Sequence, residues 1–368
     1  MKLTEAKNTL GKNAKLFSRK PLTIPSGQLI KTTSLQAEQE LPLLIQPAVA
    51  EVDLLLWAQS NRDFIHAKLY RHGGLLFRDF NVRDVSAFEQ FVRDTSNEML
   101  AYRERSSPRS QVSGNIYTST DYPAGKRIFL HNENSYQHVF PLKIFFFCVI
   151  PPAQGGQTSI ADCRRVLGRL SNETRARFDA RGGWMLVRNF RDDLGLPWQT
   201  VFQTENKSDV ERYCTGAGIS WEWRGNLLRT RQVRPVVAHH PHTGDEVWFN
   251  HATFFHLSTL EPAVRDALAA EYGEEDLPNQ TYYGDGSPIE PSVLGELRDA
   301  YQQETVIFDW QQGDILMLDN MLVAHGRETF TGARSIVVGM ADPHTRTIES
   351  AEPPGRAGSN HLRNIEGE

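Results

Sequence analysis

The segment Phe129-Leu130-His131-Asn132-Glu133-Asn134-Ser135-Tyr136 places an imidazole and a carboxylate two residues apart. In extended backbone such residues point to one face, so His131 and Glu133 can converge on a cation while Asn132 turns away. A third ligand has to come from elsewhere. His325 is the best candidate, in Asn320-Met321-Leu322-Val323-Ala324-His325-Gly326-Arg327, after an apolar run and beside a glycine. Two imidazoles and one carboxylate cover one face of an octahedron and leave three positions open, the arrangement of non-heme iron(II) centres that activate oxygen. A His-x-Glu pair alone, in a chain with 12 histidines, carries little weight.

Its company adds weight. Arg334 opens the next apolar run, Ala333-Arg334-Ser335-Ile336-Val337-Val338. An arginine there is costly to bury without a partner, and it can clamp a carboxylate through parallel hydrogen bonds. Gly155-Gly156-Gln157-Thr158 brings a hydroxyl after a flexible turn, able to donate to the same carboxylate. Candidate substrate contacts are Tyr117, Thr120 and Asn134 around the His131 segment, Arg127 ahead of it, and Asn250 and His251 as cavity wall after Trp248-Phe249. His239-His240-Pro241-His242 reads as a strand entering a turn, not a metal cluster, because adjacent strand residues face opposite ways.

These residues need elements to position them. Apolar spacing predicts helices over residues 51–72, 86–95, 164–180, 262–272 and 292–303. Strands are expected at 75–77, 115–117, 128–130, 143–150, in short runs between 184 and 255, and at 305–310, 314–318, 322–324 and 334–340. The order does not alternate as βαβα, so a doubly wound parallel sheet is disfavoured. The fold class expected is mainly β with inserted helices, an antiparallel barrel or jelly roll. Residues 1–50 are polar and Pro-punctuated and read as an N-terminal arm packed on the core. Residues 51–345 form one domain, and 346–368 a loose C-terminal tail.

The 368 residues, 39% hydrophobic and 23% charged, describe an ordinary globular chain. Net charge is −5 with both signs interspersed, which favours neither nucleic acid nor an anionic membrane as partner. No apolar run approaches the roughly 20 residues of a membrane span. The N-terminus has no apolar h-region, and 3 cysteines without a CxxC suit a reducing cytoplasm.

Taken together and in order, these motifs resemble the taurine dioxygenase-like (TauD/TfdA) family of iron(II)/2-oxoglutarate oxygenases. Gly73-Gly74-Leu75-Leu76-Phe77-Arg78-Asp79-Phe80 is similar to the family's first core strand, and Gly155 to Thr158, His131 with Glu133, and His325 with Arg334 match its later elements. The resemblance implies iron(II) on His131, Glu133 and His325, and the 2-oxoglutarate C5 carboxylate on Arg334 and Thr158. It also implies O2 as oxidant and a double-stranded β-helix (jelly-roll) core. Two positions depart from the taurine-type pattern. Glu133 stands where those members carry Asp, as in the clavaminate-synthase-like branch. Val338 stands where they carry a second arginine, which speaks against a sulfonate substrate.

A closer resemblance is to syringomycin-biosynthesis-type hydroxylases, carried by Ser107-Pro108-Arg109-Ser110, Asn115 to Thr120, His131 to Tyr136, and His240 to Gly244 leading to Trp248-Phe249-Asn250. It implies hydroxylation of an unactivated carbon of an amino-acid-derived substrate in nonribosomal-peptide-type biosynthesis, free or tethered to a carrier protein. A ligating Glu133 argues against a halogenase, which needs that position vacant. Desaturation or cyclisation of a free small molecule is the alternative within the class. A zinc hydrolase or a non-catalytic jelly-roll binding module are the alternatives outside it; zinc chemistry does not account for Arg334 with Thr158, and the intact ligands and arginine argue against the binding module. A homo-oligomer is compatible with the sequence.

Overall fold

The computed structural model describes residues 28–36, 39–100, 104, 109–119 and 122–347. Its main sheet has eight strands in the order Ile30–Gln36, Gln39–Pro47, Gly74–Phe77, Ile315–Asp319, Val139–Ile150, Ser335–Thr345, Ile116–Thr118 and Gln111–Ser113. Neighbours run antiparallel except Gln39–Pro47 beside Gly74–Phe77. A three-stranded sheet, Ile128–His131, Val323–Arg327 and Ile160–Asp162, makes the opposing layer. The result is mainly β with inserted helices on a jelly-roll core, the fold class expected.

Strand Val139–Ile150 shows how the sequence specifies two cores. Side chains alternate across a strand. Phe145 and Phe147 therefore face the helix Val85–Thr95, where Phe147 stacks on Phe88 with ring centroids 5.3 Å apart. Ile144, Phe146 and Cys148 face the opposite way, toward the three-stranded sheet. Ile315 and Met317 join the first core and Leu316 and Leu318 the second. A sheet buried on both faces reads as a continuous apolar run, which is why these strands were plain in the sequence.

The insertion between the layers' strands adds a four-stranded sheet, Ser220–Arg224, Leu227–Arg234, Trp184–Phe190 and Asn279–Tyr283. A small core of its own forms around Trp198, Val201, Val210 and Cys214. The helices Trp198–Phe202 and Lys207–Gly216 lie inside the stretch where short strands were expected to dominate.

Other boundaries differ from expectation for physical reasons. Residues 1–50 are not simply an arm, because Ile30–Gln36 and Gln39–Pro47 are strands of the main sheet and Leu43 and Ile45 are core residues. Pro42 and Pro47 had read as punctuation, but a proline is tolerated where no ladder bond from its nitrogen is needed. The expected helix over 51–72 is two, Leu54–Ser60 and Arg62–His72, with Asn61 between them donating to Trp57 O at 2.7 Å. That over 164–180 is also two, Cys163–Arg169 and Asn172–Ala180, since Ser171 caps the second by accepting from Thr174 N. Residues 305–310 form no strand beyond a single bridge, Ile160 with Val306. Of the expected loose tail, Arg346 is fixed, donating to Ser135 O at 2.8 Å and lying over the Phe140 and Phe249 rings; residues 348–368 lie outside the described ones. Among the described residues no helix is long and apolar enough to cross a membrane.

Candidate metal centre

Strands Ile128–His131 and Val323–Arg327 pair so that His131 and His325 are direct cross-strand partners. Such partners hold their Cβ atoms roughly 4.5–5.5 Å apart, and the two imidazole centroids are 4.5 Å apart. Immediately after His325 the register shifts, at Gly326. A Cβ there would meet Ile128 O at 2.6 Å and Ser159 Oγ at 2.8 Å, so only glycine lets the strands approach.

Glu133 arrives differently from expectation. The strand ends at His131 and Glu133 sits on the following turn, so the two-residue alternation is not what aims it. Asn320 does that work. Its Oδ1 accepts from Glu133 N at 2.7 Å, while its Nδ2 donates to Glu133 O at 2.9 Å and Pro141 O at 2.8 Å. The carboxylate Oε2 then receives Arg109 at 2.9 Å and stands 3.7 Å from His325 Nε2. One donor atom from each of His131, Glu133 and His325 falls within 4.8 Å of the others.

The protonation states suit a cation. His131 Nδ1 lies 3.0 Å from Phe129 O; a carbonyl only accepts, so Nδ1 carries the hydrogen and Nε2 keeps its lone pair. Burial and the neighbouring His325 push His131 down to about 3. Burial works to raise the Glu133 carboxyl, but Arg109 and the two histidines outweigh it and hold it well below the usual carboxylate range. The rings are fixed by packing, Phe254 stacked on His131 at 4.3 Å and Phe146 edge-on to His325 at 5.1 Å. A charged carboxylate and two imidazoles, buried and preoriented, fit a divalent ion of the iron class.

A narrow cavity runs from His131 and His325 to Thr158 and Arg334. The Arg334 guanidinium donates to Gly156 O at 2.9 Å and approaches Ser119 Oγ at 3.4 Å. Among the described residues no carboxylate pairs with it. Burial and the nearby Arg327 lower it to about 10. Thr158 Oγ1 accepts from Trp310 Nε1 at 3.2 Å, which leaves its own hydrogen free for a carboxylate. Gly156, at φ +67, clears the way, since a Cβ there would lie 3.0 Å from Arg334 Cδ. An unpaired cation and an unspent hydroxyl donor at one end of a cavity, with metal-type ligands at the other, fit a dicarboxylate co-substrate chelating the ion.

On the other side of His131 a larger cavity of about 690 Å³ opens, walled by Phe129, Phe254, Leu257 and Tyr301 and reaching Arg298. The expected substrate contacts divide around it. Arg127 lines this cavity but already pairs with Glu328 at 3.0 Å. Asn134 is buried beside Glu133 with φ 55 and its Oδ1 unpaired. Tyr117 is buried in the inner core. Two expectations are corrected. Asn250 spends its amide on Val236 O and Ala252 N, so it shapes a turn, not a cavity wall. His251 is buried behind His131, 2.5 Å from Ser135 Oγ. Thr120 lies outside the described residues. His240 bonds Asp319 at 2.9 Å inside the core, and His239 is exposed, so the histidine run is structural as read.

The model of the taurine catabolism dioxygenase TauD, TfdA family matches residues 38–341. The chain belongs to the TauD/TfdA family. Iron(II), 2-oxoglutarate and dioxygen are the reactants this family works with, so the enzyme class and cofactors expected from the sequence hold for this dioxygenase. The chain is 42% identical over 276 residues to the dapdiamide synthesis protein DdaC of Enterobacter agglomerans, covering 75% of this chain and 84% of that one. It is 27% identical over 322 residues to a clavaminate synthase-like protein of Arabidopsis thaliana, covering 81% and 93%. In fold it is similar to PvcB of Pseudomonas aeruginosa, with TM-score 0.50 and 17% identity over 86% of this chain and 93% of that one. It is likewise similar to AAD-2, solved with Mn(II) and N-oxalylglycine, with TM-score 0.51 and 13% identity over 87% and 99%.

Sequence reading of this TauD/TfdA dioxygenase missed Arg109, Asn320 and Arg327 as parts of the site. Asn320 carried a signal, an amide that with Asp319 interrupts the apolar run Ile315-Leu316-Met317-Leu318-Asp319-Asn320-Met321-Leu322. Arg327 donates to the carbonyls of Tyr122, Pro123 and Lys126 and so fixes the loop over the cavity.

Proposed function

We propose that this chain hydroxylates an unactivated carbon of a small amino-acid-derived substrate in natural-product biosynthesis, with iron(II) held by His131, Glu133 and His325. One observation carries this reading: the His131 face of the triad is the common wall of two cavities. One ends in an unpaired arginine and a free hydroxyl; the other is large and mostly apolar. DdaC, named for the synthesis of dapdiamide, supports the biosynthetic setting. Glu133 in the carboxylate position supports hydroxylation over halogenation. Three buried cysteines without disulfides fit a cytoplasmic enzyme. Delivery of the substrate on a carrier protein, and self-association, are compatible with the fold.

Bound iron(II), with 2-oxoglutarate and dioxygen, supplies the oxidising power for C–H hydroxylation. The chain's residues supply the rest. Arg334 and Thr158 take the far carboxylate of the co-substrate, and the Trp310 indole fixes which way the Thr158 hydroxyl points. Arg109 holds the Glu133 carboxylate and Asn320 holds its backbone. Phe254, Phe129 and Tyr301 keep water from the face of His131 on which the substrate lies.

The test is anaerobic absorption spectroscopy of the protein with iron(II) and 2-oxoglutarate. A visible charge-transfer band is expected in wild type and absent in His325→Ala. In Arg334→Ala it should need about a hundredfold more 2-oxoglutarate, the scale of two lost charge-assisted hydrogen bonds. No band at saturating iron and 2-oxoglutarate would overturn the assignment.

A further inference from the structure

The wall of the 690 Å³ cavity carries three arginines, and their charges are not equally answered. Arg109 meets Glu133 at 2.9 Å and Arg127 meets Glu328 at 3.0 Å. Arg298, on the helix Pro291–Glu304, has neither partner. Its guanidinium donates to Ser258 Oγ, a neutral hydroxyl, and Ser258 Oγ lies 2.7 Å from His256 Nδ1. Among the described residues no carboxylate lies within ion-pair distance of Arg298. Burial lowers it, with no acid to offset the effect, and burial together with this same arginine drives His256 down to about 4. His256 is therefore neutral near pH 7 and adds no charge. Among the described residues the cavity wall presents one positive charge with no carboxylate against it.

Its position relative to the metal centre is readable from the same helix. Tyr301 follows Arg298 by three residues and shares its helix face. The Tyr301 ring packs edge-on against Phe129 at 5.6 Å, and Phe129 precedes the ligand His131 by two residues. An apolar path thus runs from Arg298 over Tyr301 and Phe254 to the metal centre. A half-buried guanidinium at one end of such a path asks for an anion there, since a planar fork of donors binds a carboxylate with two parallel bonds.

We propose that Arg298 anchors a free carboxylate of the substrate and so selects for acids over their neutral analogues. The substrate then has one carboxylate at Arg298 and an apolar or neutral body reaching across Tyr301 and Phe254 to the His131 face. Ser258 and His256 hold the guanidinium toward the cavity. This rests on the hydroxylase reading above and narrows its substrate class. It also replaces Arg127, whose charge Glu328 already occupies, as the cationic substrate contact.

The experiment is anaerobic calorimetry on protein saturated with iron(II) and 2-oxoglutarate, titrated with N-acetyl-L-phenylalanine or its carboxamide. Saturating 2-oxoglutarate blocks the Arg334 end against the probe acid. Wild type should bind the acid about 10- to 100-fold more tightly than the amide, the range of a charge-assisted pair. Arg298→Gln should lose that preference and leave amide binding unchanged, and Arg298→Lys should restore part of it. The charge-transfer band read on the same samples separates the two readings: a normal band with no acid preference overturns the anchor alone, and an absent band overturns the metal centre. Equal binding of acid and amide to wild type, binding of neither, or an intact preference in Arg298→Gln would each overturn the proposal. Thermal melts of Arg298→Gln and Arg298→Lys establish that both variants are folded.

Discussion

Replacing Asn320 tests how the centre is built. Its side chain is fully buried and makes three hydrogen bonds to backbone groups, with Glu133 N, Glu133 O and Pro141 O. Asn320→Ala leaves one buried N–H and two buried carbonyls without partners. Each orphan costs about 1–3 kcal/mol, and bonds to a shared side chain are not fully additive, so the sum is roughly 3–6 kcal/mol. At roughly 2 °C per kcal/mol for a chain of this size, the apo-protein should melt about 6–12 °C lower. The effect on the metal is separable. Once its backbone is released, Glu133 loses its aim, and loss of such supporting partners typically weakens metal affinity about 10- to 100-fold. Asn320→Asp is the sharper variant, since it keeps the volume and the acceptor for Glu133 N but sets an oxygen against two carbonyl oxygens. It should cost at least as much stability as alanine. The assays are differential scanning calorimetry of the metal-free protein and competitive iron(II) titration under argon. A loss below about 1.5 kcal/mol in Asn320→Ala, or iron affinity within twofold of wild type in both variants, would refute the view that this amide positions the ligand turn.

Two further outcomes are expected elsewhere. Lys143 and Asp342 form a buried ion pair at 2.7 Å, so Lys143→Met should lose about 3–5 kcal/mol by leaving the Asp342 charge with backbone N–H partners but no cation. Adding Asp342→Asn should recover at least half of this in urea unfolding, because Asn tolerates the φ of 56 found there; no recovery would mean the loss came from packing. For pH, His256 is the cleaner handle. Its folded value of about 4 lies below the ordinary 6.5, so the stability it confers is fully present above pH 6.5 and fades as pH falls through 4. The gap corresponds to about 3 kcal/mol at most. His256→Asn keeps the cap on Ser258 N but does not titrate, and its stability should fall less than wild type's between pH 6.5 and 4. Parallel curves would remove His256 from the acid response.

How much of this was legible beforehand depended on whether a residue's neighbours were near in sequence. Apolar runs such as Ile144 to Cys148 announced buried strands because both faces are covered. His131, Glu133, His325, Arg334 and Thr158 were recognised by type and order, and the structure brings all five around one cavity system. The reasoning for Glu133 was incomplete, since a turn and Asn320 aim it, not strand alternation. Breaks at Asn61, which donates to Trp57 O at the end of one helix, and at Ser171, which caps the start of another, were hidden because a single polar side chain interrupts a helix without disturbing its apolar spacing. Gln39–Pro47 was hidden because its partners, Ile30–Gln36 and Gly74–Phe77, say what its prolines do not. Arg127 and Arg298 look alike in sequence. Only the presence of Glu328 beside one, and of a lone hydroxyl beside the other, tells them apart.

The direct opposition of His131 and His325 has a further consequence. A ladder offers discrete offsets, and a slip of one residue sends a strand's whole set of side chains to the other face. The gap between the imidazoles therefore cannot drift by small amounts as the family diverges; it is kept whole or lost whole. The register places no such constraint on chain length outside Ile128–His131 and Val323–Arg327, and the sheet Trp184–Phe190, Leu227–Arg234 and Asn279–Tyr283 lies wholly in such a stretch. Within those two strands a single added residue before His325 would leave a sheet that still folds and a centre with no third ligand. The larger cavity is walled mainly by residues outside those two strands, 254–260, 277–279 and 298–305 among them, so its shape can change without re-inventing the metal site.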